Sequence, residues 1–192
     1  MTSLPRAVSL IGAPTDVGAA ERGASMGPEA MRVAGIQAAL EERGLRVLDR
    51  TNLAGPANPR QPAVDRHRNL EAVLEWNRLV HEAVYQELTA ERLPILLGGD
   101  HSLAIGSISA VARHCREAGR KLRVLWLDAH ADFNTGELSP SGNLHGMPLA
   151  CLCGFGPKAL TQLGGTMPAL HPQWIRQIGI RSVDEGERRF LH

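Results

Sequence analysis

The run Asp128-Ala129-His130-Ala131-Asp132 sets a metal-ligating side chain at every second position, directly after the apolar segment Leu122 to Leu127. Residues i, i+2 and i+4 of an extended chain point to one face. Asp128, His130 and Asp132 are therefore expected to converge on one side of a strand's end, as two carboxylates and an imidazole. Such groups crowd together cheaply only when a cation neutralises them. Upstream, Gly98-Gly99-Asp100-His101-Ser102 closes another apolar run and adds a second imidazole. Any one of these residues alone is explained as a helix cap or a turn. His101, Asp128, His130 and Asp132 together, at two strand ends, point to a metal site with two ions.

Every candidate ligand offers nitrogen or oxygen and none a thiolate. That donor set suits Mn²⁺, Fe²⁺, Co²⁺ or Zn²⁺ rather than a structural thiolate–zinc site. Asp128, first in its run, is placed to bridge two ions. Water held between them would ionise near neutral pH, since a single zinc already brings its water to about 7. The chemistry implied is hydrolysis of a polar carbon centre by a metal-bridging hydroxide. His145 lies in the loop Ser141-Gly142-Asn143-Leu144-His145-Gly146, in similarly site-like company. An imidazole beside the metals but not on them can shuttle protons; a loop histidine bonded to backbone is the competing reading. His67, His81, His114, His171 and His192 lack such neighbours and are read as surface or helix residues.

To position these groups the chain alternates strand-like and helix-like segments, the pattern of an α/β fold with an open parallel β-sheet flanked by helices. Strands are expected at Ala7 to Gly12, Leu45 to Leu48, Pro94 to Leu97, Leu122 to Leu127 and Trp174 to Ile180. A helix opens at Pro28 and runs to near Gly44. Asp65 is placed to cap a long helix that buries Leu70, Val73, Leu74, Trp76, Val80, Val84 and Leu88. Ser102 is placed to cap another from Leu103 to Glu117, ended by Gly119, and a short helix is expected near Pro157 to Leu163. In open α/β sheets functional groups gather beyond the carboxyl ends of strands. His101 and the run from Asp128 to Asp132 fall there.

The 192 residues suffice for one substantial core. With a formal net charge of +1 and no basic block, neither nucleic acid nor anionic membrane is an expected partner. No apolar run approaches membrane-spanning length, and Met1 to Thr15 lacks a signal-peptide pattern. The cysteine count of three is odd, and Cys151 and Cys153 are too close for an easy bridge. A reducing, cytoplasmic compartment is expected, with Cys115, Cys151 and Cys153 as packing residues.

Three stretches together carry a family resemblance. Leu97-Gly98-Gly99-Asp100-His101-Ser102-Leu103-Ala104-Ile105-Gly106, Asp128-Ala129-His130-Ala131-Asp132-Phe133-Asn134 and Ser141-Gly142-Asn143-Leu144-His145-Gly146-Met147-Pro148 closely resemble the ureohydrolases, arginase in particular. Gly23 to Ala30 and Ile178 to Glu187 look arginase-like as well. The resemblance implies an arginase/deacetylase-like fold, and hydrolysis of L-arginine to L-ornithine and urea at a binuclear manganese centre. It implies that His101, Asp128 and Asp132 hold one Mn²⁺, and that His130 with the bridging Asp128 holds the other. His145 matches the family's proton-transfer histidine. Asn134, Ser141 and Asn143 match the residues that hold the substrate α-carboxylate, and Asp184 the one facing its α-amino group. The Ser-Gly-Asn-Leu-His loop favours arginase over agmatinase, whose substrate has no carboxylate to clasp. Family members are trimers or hexamers, so a homo-trimer or homo-hexamer is implied.

Two features depart from that pattern. Ser182 stands where arginases commonly carry aspartate, a change expected to alter hydrogen bonding around the ligands rather than ligation. Up to His192 the chain does not contain the family's next motif, Ser-x-Asp-x-Asp, with two more metal carboxylates, or the later glutamate that grips the guanidinium. Residues 1–192 are thus expected to form a single arginase-like α/β domain lacking its C-terminal part. The first ion would keep three protein ligands and the second two. In the family's eight-stranded sheet the strands of that part lie between those ending in His101 and Asp128. Inner strand edges are therefore expected to be exposed, with broad unfolding, dye binding and poor activity of the isolated chain. Two other readings stand beside the hydrolase. One is a catalytically inactive fragment that binds metal or a partner, and the other is a ureohydrolase acting on agmatine or another guanidino compound.

Overall fold

The computed structural model describes residues 7–59 and 66–191. Strand β1 (Ala7–Ala13) is the most buried strand, with Val8, Leu10, Ile11 and Ala13 at most 1% exposed. Its apolar run on both faces is what a central parallel strand requires. It lies between β2 (Arg46–Asn52) and β3 (Leu93–Gly98), while β4 (Val124–Leu127) pairs separately with β5 (Ile175–Ile178). Among the described residues the three strand pairings are all parallel. The helices are α1 (Gly27–Val33), α2 (Ile36–Glu41), α3 (Leu70–Thr89), α4 (Ala104–Glu117), α5 (Pro148–Leu152), α6 (Lys158–Thr161) and α7 (Glu185–Leu191). The expected class, parallel α/β with flanking helices, is the observed one.

Helix α3 turns Val73, Trp76, Val80 and Val84 inward at helical spacing, against a core that includes Ile11, Leu103, Ile105 and Leu144. Asn77, fully buried on the same helix, accepts a hydrogen bond from the Gly106 N–H at 2.6 Å and so ties α3 to the start of α4. Trp126, Phe133, Leu149, Leu152 and Ile175 form a second core beneath β4 and β5. Cys151 and Cys153 are buried, and burial pushes each thiol up to about 12, which suits packing rather than thiolate chemistry.

Several boundaries differ from the sequence expectation for local reasons. The helix expected from Pro28 to Gly44 is two, because Gly35 adopts φ 83 between them. The second strand starts and ends later than Leu45 to Leu48. Asp65 lies outside the described residues; Asn69 precedes α3, with φ 55 and no side-chain capping bond. Ser102 does not cap: it sits inside a 3-10 turn (His101–Leu103) leading into α4, and Asp100 is the cap, accepting from the Ser102 N–H. Asp reaches its own backbone two residues on, so the cap moved upstream with the extra turn.

Among the described residues β3 pairs only with β1, and β4 only with β5. Leu127 and Ile178 are register partners, and with Leu125 they are 72%, 53% and 66% exposed. The β4–β5 sheet therefore buries one face and presents an apolar second face to solvent.

Away from that face, Glu87 on α3 is buried beneath the sheet, bonded to Ser9 on β1, to Arg92, and to Arg50 at 2.9 Å. Burial opposes its charge, but Arg92, Ser9 and Arg50 outweigh it and hold the carboxyl at about 2, down from 4.5. The folded state thus binds this proton more weakly than the unfolded one. The stabilisation is whole above about 4.5 and drains as pH falls toward 2. The stability gap between the parent and Glu87→Gln is expected to narrow by on the order of 3 kcal/mol over that window. Denaturant titrations at neutral and acid pH check this, and a gap that does not change with pH would contradict it.

Candidate metal centre

Strand β3 delivers Gly98 and Gly99 to the carboxyl edge of the sheet, and the turn after them starts at His101. Strand β4 ends at Leu127, so Asp128 is the first residue past it. His101 Nδ1 lies 2.9 Å from Asp128 Oδ2 and 2.8 Å from Asp132 Oδ2. One ligand atom from each of these residues falls within 4.8 Å of the others. Two strands that are not paired with each other thus bring an imidazole nitrogen and two carboxylate oxygens to one point.

His130 does not join those three as the alternation of an extended chain required. It is exposed, with Nδ1 3.4 Å from the other Asp128 oxygen, Oδ1. Residues 128–132 are not a continuation of β4, and Asp132 has φ 49, a left-handed backbone that breaks the alternation. The bend turns Asp132 toward His101 and leaves His130 on the opposite oxygen of Asp128. Asp128 accordingly faces an imidazole with each of its oxygens.

The local backbone is well anchored. Asp128 N–H donates to Ile178 C=O at 3.1 Å, and Arg181 and Ser182 N–H both donate to Ala129 C=O at 2.9 Å. Ser182 acts here through its backbone, in a bridge to His130. Trp126 stacks on the His101 ring at 4.2 Å between centroids, which fixes the imidazole plane.

The electrostatics fit a cation site. Burial works against a charged His101, but the hydrogen bond and charge of Asp132, then Asp128 and Asp100, hold it above its ordinary value. Burial likewise opposes ionisation of Asp128, and the His130 N–H, the charge at His101 and the Ala129 N–H outweigh it, so its carboxyl stays below the usual range. The same carboxylates that favour positive charge at His101 would favour a divalent ion, whose coordination preference these nitrogen and oxygen donors match.

The other expected site residues meet in two local groups, Asn134 with Asp184 and Ser141 with Asn143. Asn134 Nδ2 donates to Asp184 Oδ2 at 2.8 Å, and Asn134 N–H to Gly146 C=O at 3.0 Å, next to His145. Ser141 Oγ accepts from the Asn143 N–H at 3.2 Å. The Oδ1 atoms of Asn134 and Asn143 are buried without a hydrogen-bond partner, which leaves both able to accept from a donor. His145 sits in a 3-10 turn (Leu144–Gly146) packed against the His101 turn.

The match to known proteins decides the family. The arginase family model matches residues 6–192. The chain is 47% identical over 186 residues to an arginase of Bacillus caldovelox and 42% identical over 184 residues to one of Brevibacillus brevis. The chain belongs to the arginase family. A solved arginase structure from Bacillus caldovelox superposes with a TM-score of 0.89, and one from Bacillus subtilis with 0.87 at 41% identity. These alignments cover 96–97% of this chain and 61–62% of the known arginases. The chain therefore spans about 61% of the length of the arginases it matches.

Within this arginase-family frame, two buried acids were not anticipated as contributors. Asp100 accepts backbone N–H groups from both the His101 turn and the Gly18 loop. Glu187, 4% exposed, accepts from the Phe133 N–H at 2.8 Å and exchanges bonds with the Asp184 backbone and side chain at the start of α7. Asp184-x-x-Glu187 is a capping-box spacing, the signal that announces both α7 and this contact.

Proposed function

We propose that this chain carries an arginase-type site, hydrolysing L-arginine to L-ornithine and urea with two manganese ions. One observation supports it above the rest: Asp128 directs its two oxygens at two different imidazoles, His101 and His130. In this reading His101, Asp128 and Asp132 hold one ion, and Asp128 and His130 the other. When bound, the ions lower the pKa of water and stabilise the charge that develops at the guanidinium carbon. Bond making and breaking balance simply. The oxygen of water joins the guanidinium carbon, the bond from that carbon to the ornithine nitrogen breaks, and both protons of the water pass to the leaving nitrogen, giving neutral urea and the ornithine ammonium. His145 carries protons to that leaving nitrogen at its imidazole nitrogen. Asn134, Ser141 and Asn143 bind the α-carboxylate, and Asp184 the α-amino group, so the guanidinium end is directed inward. Residues 1–192 act as one α/β domain in this account, assembling as a homo-trimer or homo-hexamer. Among the described residues no helix is long and apolar enough to cross a membrane.

A substrate panel tests the reading. With Mn²⁺ present, urea release from L-arginine is expected to exceed that from agmatine by at least about a hundredfold, since a polar clasp left without its partner costs at least that much. Preference for agmatine would move the chain to another ureohydrolase specificity. Metal binding with no turnover of any guanidino compound would favour a binding role.

A further inference from the structure

We propose that Asp100 is the positioning residue that sets His145 relative to the His101 turn, by clamping the backbone of Gly18. Its meaning for catalysis rests on the proton-transfer reading of His145; the clamp itself does not. Asp100 is 6% exposed, and its carboxylate uses both oxygens on backbone donors. Oδ1 accepts the Ser102 N–H at 2.9 Å, capping the His101 turn from within. Oδ2 accepts the Gly18 N–H at 2.8 Å, across 82 residues of chain. The C=O of the same Gly18 accepts the His145 N–H at 3.0 Å. One carboxylate thus joins three segments: the turn bearing the metal-site histidine, the Gly18 loop and the turn bearing the proton-transfer histidine.

The loop leaves no slack at this joint. A Cβ on Gly18 would sit 2.5 Å from Asp100 Oδ1 and 2.6 Å from Ser102 Oγ, so only glycine permits the approach. Asn69 Nδ2 holds the preceding Val17 C=O at 2.9 Å, and the Asp100 N–H donates to Thr15 C=O at 3.0 Å. An aspartate needed only as a cap would engage Ser102 alone, and serine or asparagine caps as well. The second oxygen is what distinguishes this residue, because a charged acceptor holds a buried N–H more strongly than a neutral one.

Asp100→Ser separates the two roles. Serine still caps Ser102 N–H but falls short of Gly18. Amide-resolved hydrogen exchange on the full chain reads the clamp directly. Exchange at Gly18 and His145 is expected to rise by at least about tenfold, the effect of losing one charge-assisted bond. Leu10 and Ile11 should keep the parent's rates, since the core of β1 does not depend on this clamp. The kcat for L-arginine should fall by a similar factor with KM unchanged. Asp100→Asn, which keeps a single acceptor oxygen, should show the same local acceleration and stands in if the serine variant does not fold. Exchange at His145 equal to the parent's, or accelerated equally at Leu10 and Ile11, would overturn the proposal. If the parent chain releases no urea, the exchange result alone decides the clamp, and the hydrolytic reading fails separately.

Discussion

Asp128→Asn is expected to lower Mn²⁺ affinity by at least about a hundredfold, since even residues that merely orient a metal ligand are worth about 10–100-fold. The reason is the double use of this side chain. Oδ2 lies 2.9 Å from His101 Nδ1 and Oδ1 3.4 Å from His130 Nδ1, so one substitution weakens both proposed ion positions. Asparagine keeps the shape and removes the negative charge that balances the cations. Isothermal titration with MnCl₂ should show the parent binding and the variant not saturating at millimolar metal. His130→Asn should be milder, because it touches one oxygen of one carboxylate and is itself exposed. Equal affinities in the parent and Asp128→Asn would remove Asp128 from the site.

The largest stability effect is expected at Gly99. A Cβ there would lie 2.1 Å from Thr15 C=O oxygen and 2.7 Å from Thr15 N, backbone atoms that cannot swing away. The same contact carries two hydrogen bonds, Gly99 N–H to Ala13 C=O and Asp100 N–H to Thr15 C=O, each at 3.0 Å. Gly99→Ala must pry the carboxyl ends of β1 and β3 apart. Overpacking of this kind costs about 1–3 kcal/mol and each lost bond about 1 more, giving about 3–5 kcal/mol in all. Gly98→Ala is the control, since its Cβ would meet nothing closer than Leu103 Cδ1 at 3.7 Å. Thermal and urea unfolding should separate the pair clearly, and similar transitions in both would contradict the close-approach argument. Metal affinity should drop with Gly99→Ala as well, because His101 stands two residues further on.

Much of this architecture was legible in the sequence because it follows from periodicity. The apolar run of β1, the inward stripe of α3 from Val73 to Val84, and the strand ends carrying His101 and Asp128 all obey rules of spacing. Their convergence at the carboxyl edge of parallel strands follows from the fold class. What the spacing could not convey was backbone that leaves its regular region. The left-handed turns at Gly35 and Asp132 split one expected helix and redirected one expected ligand. A residue-by-residue alternation assumes extended φ and ψ throughout, and Asp132 is where that assumption fails. The extra 3-10 turn at His101 moved the cap from Ser102 to Asp100 for a similar reason. Glu187 was missed because a glutamate in a charged stretch, Glu185 to Arg189, reads as solvated; its burial comes from the fold of the 131–134 segment over it. The family resemblance supplied the grouping of Asn134 with Asp184, which no spacing rule offers across 50 residues.

The most direct test of the account is urea release from L-arginine by this 192-residue chain after incubation with Mn²⁺, run beside Asp128→Asn. With three protein ligands for one ion and two for the other, slow, metal-dependent urea release is expected from the parent and none from the variant. No urea from the parent, or equal urea from both, would contradict the arginase-type reading of this chain.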